Sequence, residues 1–302
     1  PYVETIDRQL QKYATAVGLK YVDYPNQQQQ SQWVQGMNQA ISSKANAIAL
    51  IAGIPPEQLQ PQITQAKNAG IPTVDISERD RTQTAPSYVS AFAYFPFLQA
   101  GKLIAAWAVA QTQGKADILY ITSNADVSSA AVQSGATSEL HNTCPNCKMT
   151  FANANPVDWP TKIATTVEAA ISADPGINYI LTTYDSMAPF AATGILTAGK
   201  RGQIHIASAN GTPSIIDQIR PGSTITMDVG QNTSNIAAGG LDSALRLMLG
   251  MQPGDPVVGN KIIDQQNVSD FGEPAVSGRG YGNAFIDGYA KTWGVSPSVL
   301  QG

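Results

Sequence analysis

Short apolar runs alternate with longer stretches of helical periodicity along most of this chain, at a spacing of roughly 25–30 residues. The runs that predict strands lie at 19–24, 47–51, 73–76, 116–122, 148–152, 177–182, 204–208 and 224–229. The stretches that predict helices lie at 3–17, 27–43, 57–69, 97–112, 127–140, 159–173, 186–198, 213–219, 232–249 and 283–293. Such alternation indicates βαβ units, so we predict an α/β fold with parallel sheets and helices on both faces.

Length and composition narrow the class of protein further. The 302 residues favour about two domains, and 43% apolar residues are enough for a normal core. Charged residues make up 13%, the net charge is −4 and no basic stripe is present, so nucleic acid is not a predicted partner. No apolar run approaches the ~18 residues of a membrane span, and no signal peptide is visible. We expect any export signal to lie upstream of Pro1.

The two cysteines, Cys144 and Cys147, stand in the sequence Cys-Pro-Asn-Cys. A redox-active pair favours the start of a helix that follows a strand, whereas this pair follows a predicted helix and precedes a strand. A zinc site needs four ligands, and His141 supplies at most one more. The pattern therefore favours a local disulfide, which fits an oxidising compartment.

Polar and aromatic residues follow the predicted strands, where ligands of open parallel sheets bind. The candidates include Ser77, Glu78, Asn124, Trp159, Tyr184, Asp185, Asn210 and Gln231. The set is mostly neutral and contains few pairs of a nucleophile and a base. No G-x-S-x-G, P-loop or HExxH sequence is present. These observations predict a binding protein that is not an enzyme and holds no metal or cofactor.

Several short segments, taken in order, resemble the periplasmic sugar-binding proteins of the ribose and galactose type. The segments are Pro1-Tyr2, Ala-Gly-Ile-Pro-Thr-Val at 69–74, Leu-Thr-Thr-Tyr-Asp-Ser-Met-Ala at 181–188, Ala-Asn-Gly at 209–211, Ile-Arg-Pro-Gly at 219–222 and Gln231. The resemblance covers residues 1 to about 260. It implies the type I binding-protein fold, with two doubly wound parallel-sheet lobes joined by a hinge. The first strand of that family is missing from this chain, or a segment preceding Pro1 supplies it.

The resemblance also implies a domain division and a ligand site. Lobe one is expected at 1–93 plus 232–265, lobe two at 94–231, and a C-terminal extension of unassigned lobe at 266–302. In this family, aromatic rings at the positions of Tyr2 and Trp159 sandwich the sugar, and residues at Asn210 and Gln231 bind its hydroxyls. Flat rings suit the C–H faces of a pyranose, while hydrogen bonds suit its edge.

Other site positions depart from the family pattern. Tyr184 stands where the family often has an asparagine, and Asp185 beside it is expected to hold the loop. Ser77 and Glu78 stand where an aspartate followed by arginine or serine is common, and an arginine expected near Val132 is absent. Asn124 completes the set that we assign to lobe two. These departures leave a sugar as the leading ligand and a nucleoside or an aromatic compound as the alternative.

The resemblance implies the substrate-binding component of an ABC transporter, with a membrane permease as its partner. The two lobes would close on a small, neutral, polar solute, most simply a monosaccharide or a related polyol. Such a protein is expected to be exported, monomeric, and either periplasmic or anchored by lipid outside the cell membrane. A further alternative is the effector domain of a regulator of the lactose-repressor type. That reading needs a basic DNA-binding head, which this chain does not contain.

Overall fold

The computed structural model describes residues 2–27, 29–256 and 258–301. The chain forms two compact units. Unit one comprises Pro1–Phe95, Asn232–Val258 and Tyr281–Gly302, and unit two comprises Pro96–Gln231 and Gly259–Gly280. The chain therefore passes from one unit to the other at four points. Residues 259–265, expected in lobe one, belong to unit two because they form a strand of its sheet.

Unit one is built on a three-stranded parallel sheet. Its strands, in spatial order, are β1 (Ile48–Ile51), β2 (Thr73–Ile76) and β3 (Ala91–Ala93). Its helices are α1 (Tyr2–Ala16), α2 (Gln30–Ser42), α3 (Gln60–Asn68) and, after unit two, α9 (Thr233–Met248), α10 (Ala284–Trp293) and α11 (Pro297–Leu300). A 3₁₀ turn at Pro56–Leu59 precedes α3.

Both faces of this sheet are covered by helices. Leu50 of β1 packs in a core with Trp33 of α2 and Ile63 of α3. On the other face Ile76 of β2 lies against Gly240 of α9, where an added Cβ would come within 2.4 Å of the Ile76 side chain. A larger residue at 240 would therefore force the Ile76 side chain or α9 to shift.

The strand predicted at 19–24 is wrong. This segment has no regular structure, and Val22 is 66% exposed. A strand is stable only when its backbone pairs with a neighbour, and no described residue supplies a neighbour here. The apolar character of the segment was therefore a misleading signal. The prediction also missed β3, which is only three residues long.

Unit two contains a six-stranded sheet. Its strands are β4 (Asp117–Thr122), β5 (Lys148–Asn153), β6 (Tyr179–Thr182), β7 (His205–Asn210), β8 (Ile225–Gln231) and β9 (Asn260–Asp264), in the spatial order β5-β4-β6-β7-β8-β9. The first five strands are parallel. The sixth, β9, runs antiparallel to β8 and corrects the expectation of a purely parallel sheet.

The helices of unit two connect these strands. They are α4 (Phe97–Gln111), α5 (Val127–Thr143), α6 (Trp159–Ala173), α7 (Ala188–Thr197) and α8 (Pro213–Ile216), with 3₁₀ turns at Pro156–Asp158, Asp185–Met187 and Val268–Phe271. The helix predicted at 159–173 is confirmed end to end. The one predicted at 213–219 stops after a single turn.

The predicted disulfide between Cys144 and Cys147 is confirmed. It closes the turn between α5 and β5, and the Cys147 sulfur accepts a hydrogen bond from the backbone N–H of Ala116 at 3.2 Å. Both sulfurs are engaged in this bond, so the pair supplies no thiolate to a metal. The zinc alternative is thereby excluded for these two residues.

The C-terminal segment returns to unit one. Trp293 of α10 donates from Nε1 to Asp242 of α9 at 3.0 Å, and its ring lies 6.2 Å from that of Tyr13 in α1. The Lys12 ammonium donates to the carbonyl oxygen of Leu300 at 2.8 Å. The end of the chain therefore covers α1 and α9. Within the described ranges no helix combines the length and apolar character needed to cross a bilayer.

Helices α4 and α5 approach each other through two glycines. A Cβ added to Gly101 would lie 1.9 Å from the carbonyl oxygen of Val132, and one added to Gly135 would lie 2.0 Å from that of Leu98. Both contacts are with backbone, which no side-chain rotation can relieve. The helices can pack at this distance only because both positions lack a side chain.

We expect G101A to lower the free energy of unfolding by about 3 kcal/mol, because α4 and α5 must separate to admit the methyl group. Urea unfolding followed by circular dichroism measures the change. The matched control is G288A on the exposed face of α10, where nothing lies within 4 Å of the added Cβ. That variant should gain about 0.5 kcal/mol from helix propensity. Equal stability of G101A and the wild type would contradict the helix contact described.

Candidate ligand-binding site

The parallel strands of unit two end at one edge of the sheet, which we call the carboxyl edge. It is defined by the last residues of the strands β4 to β8, which are Thr122, Asn153, Thr182, Asn210 and Gln231. Strands that run in one direction bring their carboxyl ends to the same side of a sheet. The polar residues that follow these strands are therefore placed along one edge.

Two aromatic rings lie together at this edge. Tyr184 follows β6 and Trp159 begins α6, and their ring centroids are 6.1 Å apart with planes inclined by 38°. Trp159 donates from Nε1 to the carbonyl oxygen of Ala154 at 2.9 Å, which fixes the indole. Both side chains are only half-buried. Half-buried rings leave apolar surface for a ligand to stack on.

The Tyr184 hydroxyl is held by the first turn of α5. It is hydrogen bonded to the hydroxyl of Ser128 at 3.0 Å and to that of Ser129 at 2.8 Å. Both serines are buried. The sequence prediction named Tyr184 but not the serines that hold it.

An amide pair closes the other end of the edge. Gln231 donates from Nε2 to Oδ1 of Asn210 at 3.0 Å, and both residues are buried. Asn124 lies after β4 and is exposed, with its backbone N–H donating to the Asn153 side chain at 2.8 Å. The structure thus brings Asn210 and Gln231 together and places Asn124 beside the end of β5.

Two buried carboxylates hold the turn that carries Asn210. Asp228 of β8 accepts hydrogen bonds through Oδ1 from the backbone N–H of Asn210 and Gly211, at 3.1 and 2.7 Å. Asp185 accepts through Oδ2 from the N–H of Thr212 at 2.7 Å. Burial raises the pKa of both carboxyls, and the charge of Asp185 raises the pKa of Asp228 further.

The sequence prediction missed Asp228. A signal was present, since an aspartate in the middle of an otherwise apolar strand must find donors in the fold. The identity of those donors could not be predicted, because they come from a turn that is 17 or 18 residues away in the sequence. Asp185, which was expected to hold a loop, does accept from the N–H of Thr212 in that turn.

The predicted residues of unit one also come together. The hydroxyl of Tyr2 lies 2.9 Å from that of Ser77, which follows β2. Ser77 has φ 63°, a left-handed conformation that strains a residue with a side chain. Its N–H donates to the carbonyl oxygen of Ala93 at 2.9 Å and holds it there. Glu78 accepts from the N–H of Gly53 at 2.6 Å, after β1.

The Arg79 side chain is buried, and it pairs with the buried Asp75 and the half-exposed Glu57. It donates to Asp75 at 3.3 Å, to Glu57 at 2.8 Å and to the carbonyl oxygen of Thr84 at 2.8 Å. Burial raises the pKa of Asp75 to about 7, although Arg79 pulls it in the opposite direction. Removing Arg79 alone would leave a buried carboxylate without a cation.

A groove of about 620 Å³ runs along α5 in unit two. It extends from Asn124 and Asp126 before the helix to His141 in the last turn. Asn124 is the one predicted site residue that lines it. The aromatic pair Trp159–Tyr184 and the amide pair Asn210–Gln231 lie along the carboxyl edge and do not line this groove.

The chemistry of these groups is that of binding. Among residues 2–27, 29–256 and 258–301, the His, Cys, Asp and Glu side chains form no group of three or more that could hold a metal ion. The carboxyl edge offers aromatic faces, amides and hydroxyls, which bind polar solutes through stacking and hydrogen bonds. Fold and edge together define an α/β binding protein with two units of sheet and helices.

The family profile described as "Periplasmic binding protein domain" matches residues 1–252. This chain belongs to that family. The match confirms the resemblance seen in the sequence and the prediction of a binding protein rather than an enzyme. It also confirms the fold class, two α/β lobes of the periplasmic binding protein type I. A comparison with curated protein sequences finds no match.

Solved structures share this fold. An ABC transporter periplasmic solute binding protein from Actinobacillus succinogenes with bound D-allose is 20% identical, with a TM-score of 0.78, covering 89% of this chain and 95% of that one. A 5-methylthioribose transporter solute binding protein from Thermotoga lettingae is 20% identical, with a TM-score of 0.78, covering 100% and 89%. A Bacillus halodurans solute binding protein with bound myo-inositol is 14% identical, with a TM-score of 0.79, covering 90% and 93%.

We expect Y184F to lower the free energy of unfolding by about 1 kcal/mol, because the buried hydroxyls of Ser128 and Ser129 lose their partner. Thermal unfolding measures the loss. The matched control is Y24F, whose hydroxyl donates to Gln35 at 3.3 Å on an exposed surface. Y24F should stay within about 0.5 kcal/mol of the wild type. Equal losses in the two variants would show that the α5 contact contributes nothing specific.

Proposed function

We propose that this protein is the substrate-binding component of an ABC transporter and that it binds a small, neutral, hydroxylated solute. The observation that carries the proposal is the carboxyl edge of unit two, where the rings of Trp159 and Tyr184 follow β5 and β6 and the amides of Asn210 and Gln231 end β7 and β8. Tyr2, Ser77 and Glu78 are the proposed contribution of unit one. Closure of two lobes on the ligand remains a prediction from the family resemblance.

The chemistry of the edge supports a monosaccharide or a polyol first. Aromatic faces suit the C–H faces of a sugar ring, and amides can both donate to and accept from hydroxyls. The solved structures of the same fold hold D-allose, 5-methylthioribose and myo-inositol, which are hydroxylated solutes.

One observation favours a less hydroxylated solute. The Tyr184 hydroxyl is bonded to two serines of α5, so the residue offers its ring more readily than its oxygen. A ligand with an aromatic or apolar part, such as a nucleoside or a methylthio sugar, would use two neighbouring rings well. This class is the second candidate.

The partner and the location follow from the proposed role. A substrate-binding component delivers its solute to a membrane permease, and it works outside the cell membrane. We propose that the protein is exported and acts as a monomer, either periplasmic or anchored by lipid. The disulfide Cys144–Cys147 is compatible with an oxidising compartment.

The first experiment is a thermal-shift screen of the purified protein against D-allose, myo-inositol, 5-methylthioribose and adenosine. A compound at a hundredfold excess over its Kd stabilises the native state by about 2.7 kcal/mol. We expect a clear rise in Tm with D-allose or myo-inositol. A shift confined to 5-methylthioribose or adenosine would replace the assignment of a monosaccharide or polyol with the second candidate. A flat result with monosaccharides, polyols and nucleosides would overturn the proposed ligand class.

We expect W159A to weaken binding of the stabilising compound by about tenfold or more, because the ligand loses a stacking face. Calorimetric titration measures the change. W159F keeps a ring but loses the hydrogen bond to Ala154, so it should lose less affinity than W159A. Thermal unfolding of both variants shows whether they remain folded. Unchanged affinity in W159A would remove Trp159 from the site.

A further inference from the structure

We propose that Asp185 and Asp228 form a clamp that retains a single proton and positions the turn at residues 210–212, and that this clamp makes ligand binding depend on pH. The inference rests on the proposed function, because the turn carries Asn210, a proposed ligand residue. Neither carboxylate is proposed to touch the ligand. Both act through the backbone of the turn, so they are positioning residues.

The clamp holds one turn through three backbone hydrogen bonds. Three successive backbone N–H groups, those of Asn210, Gly211 and Thr212, donate to the two carboxylates at 3.1, 2.7 and 2.7 Å. Asp185 follows β6 and Asp228 lies on β8, so the turn after β7 is held from both sides. Its position is therefore set by two acids.

The second oxygen of each carboxylate is hydrogen bonded to a serine hydroxyl. Ser208 donates to Oδ2 of Asp228 at 2.6 Å, and these two residues are direct neighbours across β7 and β8. Ser186 lies 3.3 Å from Oδ1 of Asp185. A serine hydroxyl can donate to a charged carboxylate or accept from a protonated one. All the bonds of the clamp therefore survive the addition of a proton.

Within the described ranges 2–27, 29–256 and 258–301, no Lys, Arg or His side chain forms an ion pair with either aspartate. Both aspartates are fully buried, and the charge that acts on Asp228 is that of Asp185. Other titratable side chains stand on the elements packed against β7 and β8. They are Lys102 on α4, Tyr179 on β6, His205 on β7, and Lys261 and Asp264 on β9. None of these is among the groups that shift the pKa of either aspartate.

Two buried like charges cannot both ionise cheaply, so the pair retains one proton at neutral pH. With that proton the clamp carries one negative charge, shared among three N–H groups and two hydroxyls. When the pH rises and the proton leaves to solvent, the two carboxylates repel each other inside the fold. The turn must then shift, and the Asn210 amide moves with it.

The sign of the pH effect follows from these raised pKa values. A carboxyl whose pKa is higher in the folded state than in the unfolded state favours folding at low pH, and this advantage is lost as the pH rises through the folded pKa. The clamp is therefore most stable in acid, below the ordinary aspartate pKa of about 4, and it weakens progressively as the pH rises towards the raised pKa of Asp228. A single proton required for binding raises Kd by up to about tenfold per pH unit above that pKa.

Conservative variants distinguish a role of the two aspartates in proton binding from a purely structural role. In D228N the amide oxygen can accept from Asn210 and Gly211 while its nitrogen donates to Ser208, so the fold is kept and the titration is lost. In D185N the repelling charge disappears, so Asp228 should titrate at lower pH. The control is D287N, which removes an exposed carboxylate on α10 in unit one.

The test follows the backbone amide resonances of Asn210, Gly211 and Thr212 by NMR between pH 5 and pH 10, on ligand-free protein. We expect one titration in the wild type and in D287N, none at Gly211 in D228N, and a lower midpoint in D185N. Amides that do not titrate in the wild type would overturn the clamp. A titration that survives unchanged in D228N would do the same.

Binding is tested on the same proteins with D-allose and myo-inositol as probes. If either binds, the wild-type Kd should rise by several-fold up to about a hundredfold from pH 7 to pH 9, while that of D228N stays within about twofold. A pH-independent wild-type Kd would overturn the coupling to binding. If the amides titrate but neither probe binds, the clamp stands and the proposed choice of ligand fails.

Discussion

Backbone hydrogen bonds between parallel strands decide where the polar groups of unit two can lie. Thr122 pairs with Asn153, Ile121 with Thr182, and Asn210 with Gly230. Because β4 to β8 run in one direction, their last residues meet at one edge. A slip of one residue in any pair would turn its side chains to the other face of the sheet. Register therefore decides which side chains the site contains.

The two units bury carboxylates in different ways. In unit one, Asp75 has the Arg79 guanidinium beside it, and Arg79 also pairs with Glu57. In unit two, Asp185 and Asp228 are held by backbone N–H and hydroxyl groups, and no cation in the described part of the chain pairs with them. A neighbouring cation can compensate the charge of a buried carboxylate while the carboxylate stays ionised. Neutral hydrogen-bond donors compensate only part of that charge. A retained proton would therefore lower the remaining electrostatic cost of burying the two carboxylates in unit two.

Much of the fold could be predicted from sequence because local patterns decide it. The strand at 73–76 and the helix at 159–173 are reproduced end to end, since their apolar periodicity and flanking breakers agree. The segment at 19–24 has the same apolar pattern but no strand to pair with, and pairing is a tertiary property. The antiparallel β9 has only two apolar residues in Asn-Lys-Ile-Ile-Asp, so its pattern gave no signal.

The site could be predicted from the sequence to about the same extent as the fold. Residues that follow strands could be named, because the position of a strand end is a local property. Their partners could not, since Tyr184 bonds to serines 55 and 56 residues away and Tyr2 to a serine 75 residues away. Asp228 was missed for the same reason. Sequence therefore identifies which groups reach the edge, and only the fold shows what holds them.

The glycine contact between α4 and α5 connects core packing to the proposed site. Gly135 lies on the helix whose first turn carries Ser128 and Ser129, and those hydroxyls hold Tyr184. A helix moves largely as a rigid body, so a displacement at Gly135 is carried about two turns along α5 to the serines. The ring of Tyr184 would then lose its support without any change in the site itself. The lack of a side chain at Gly101 and Gly135 thus helps to fix the ring of Tyr184 at the carboxyl edge.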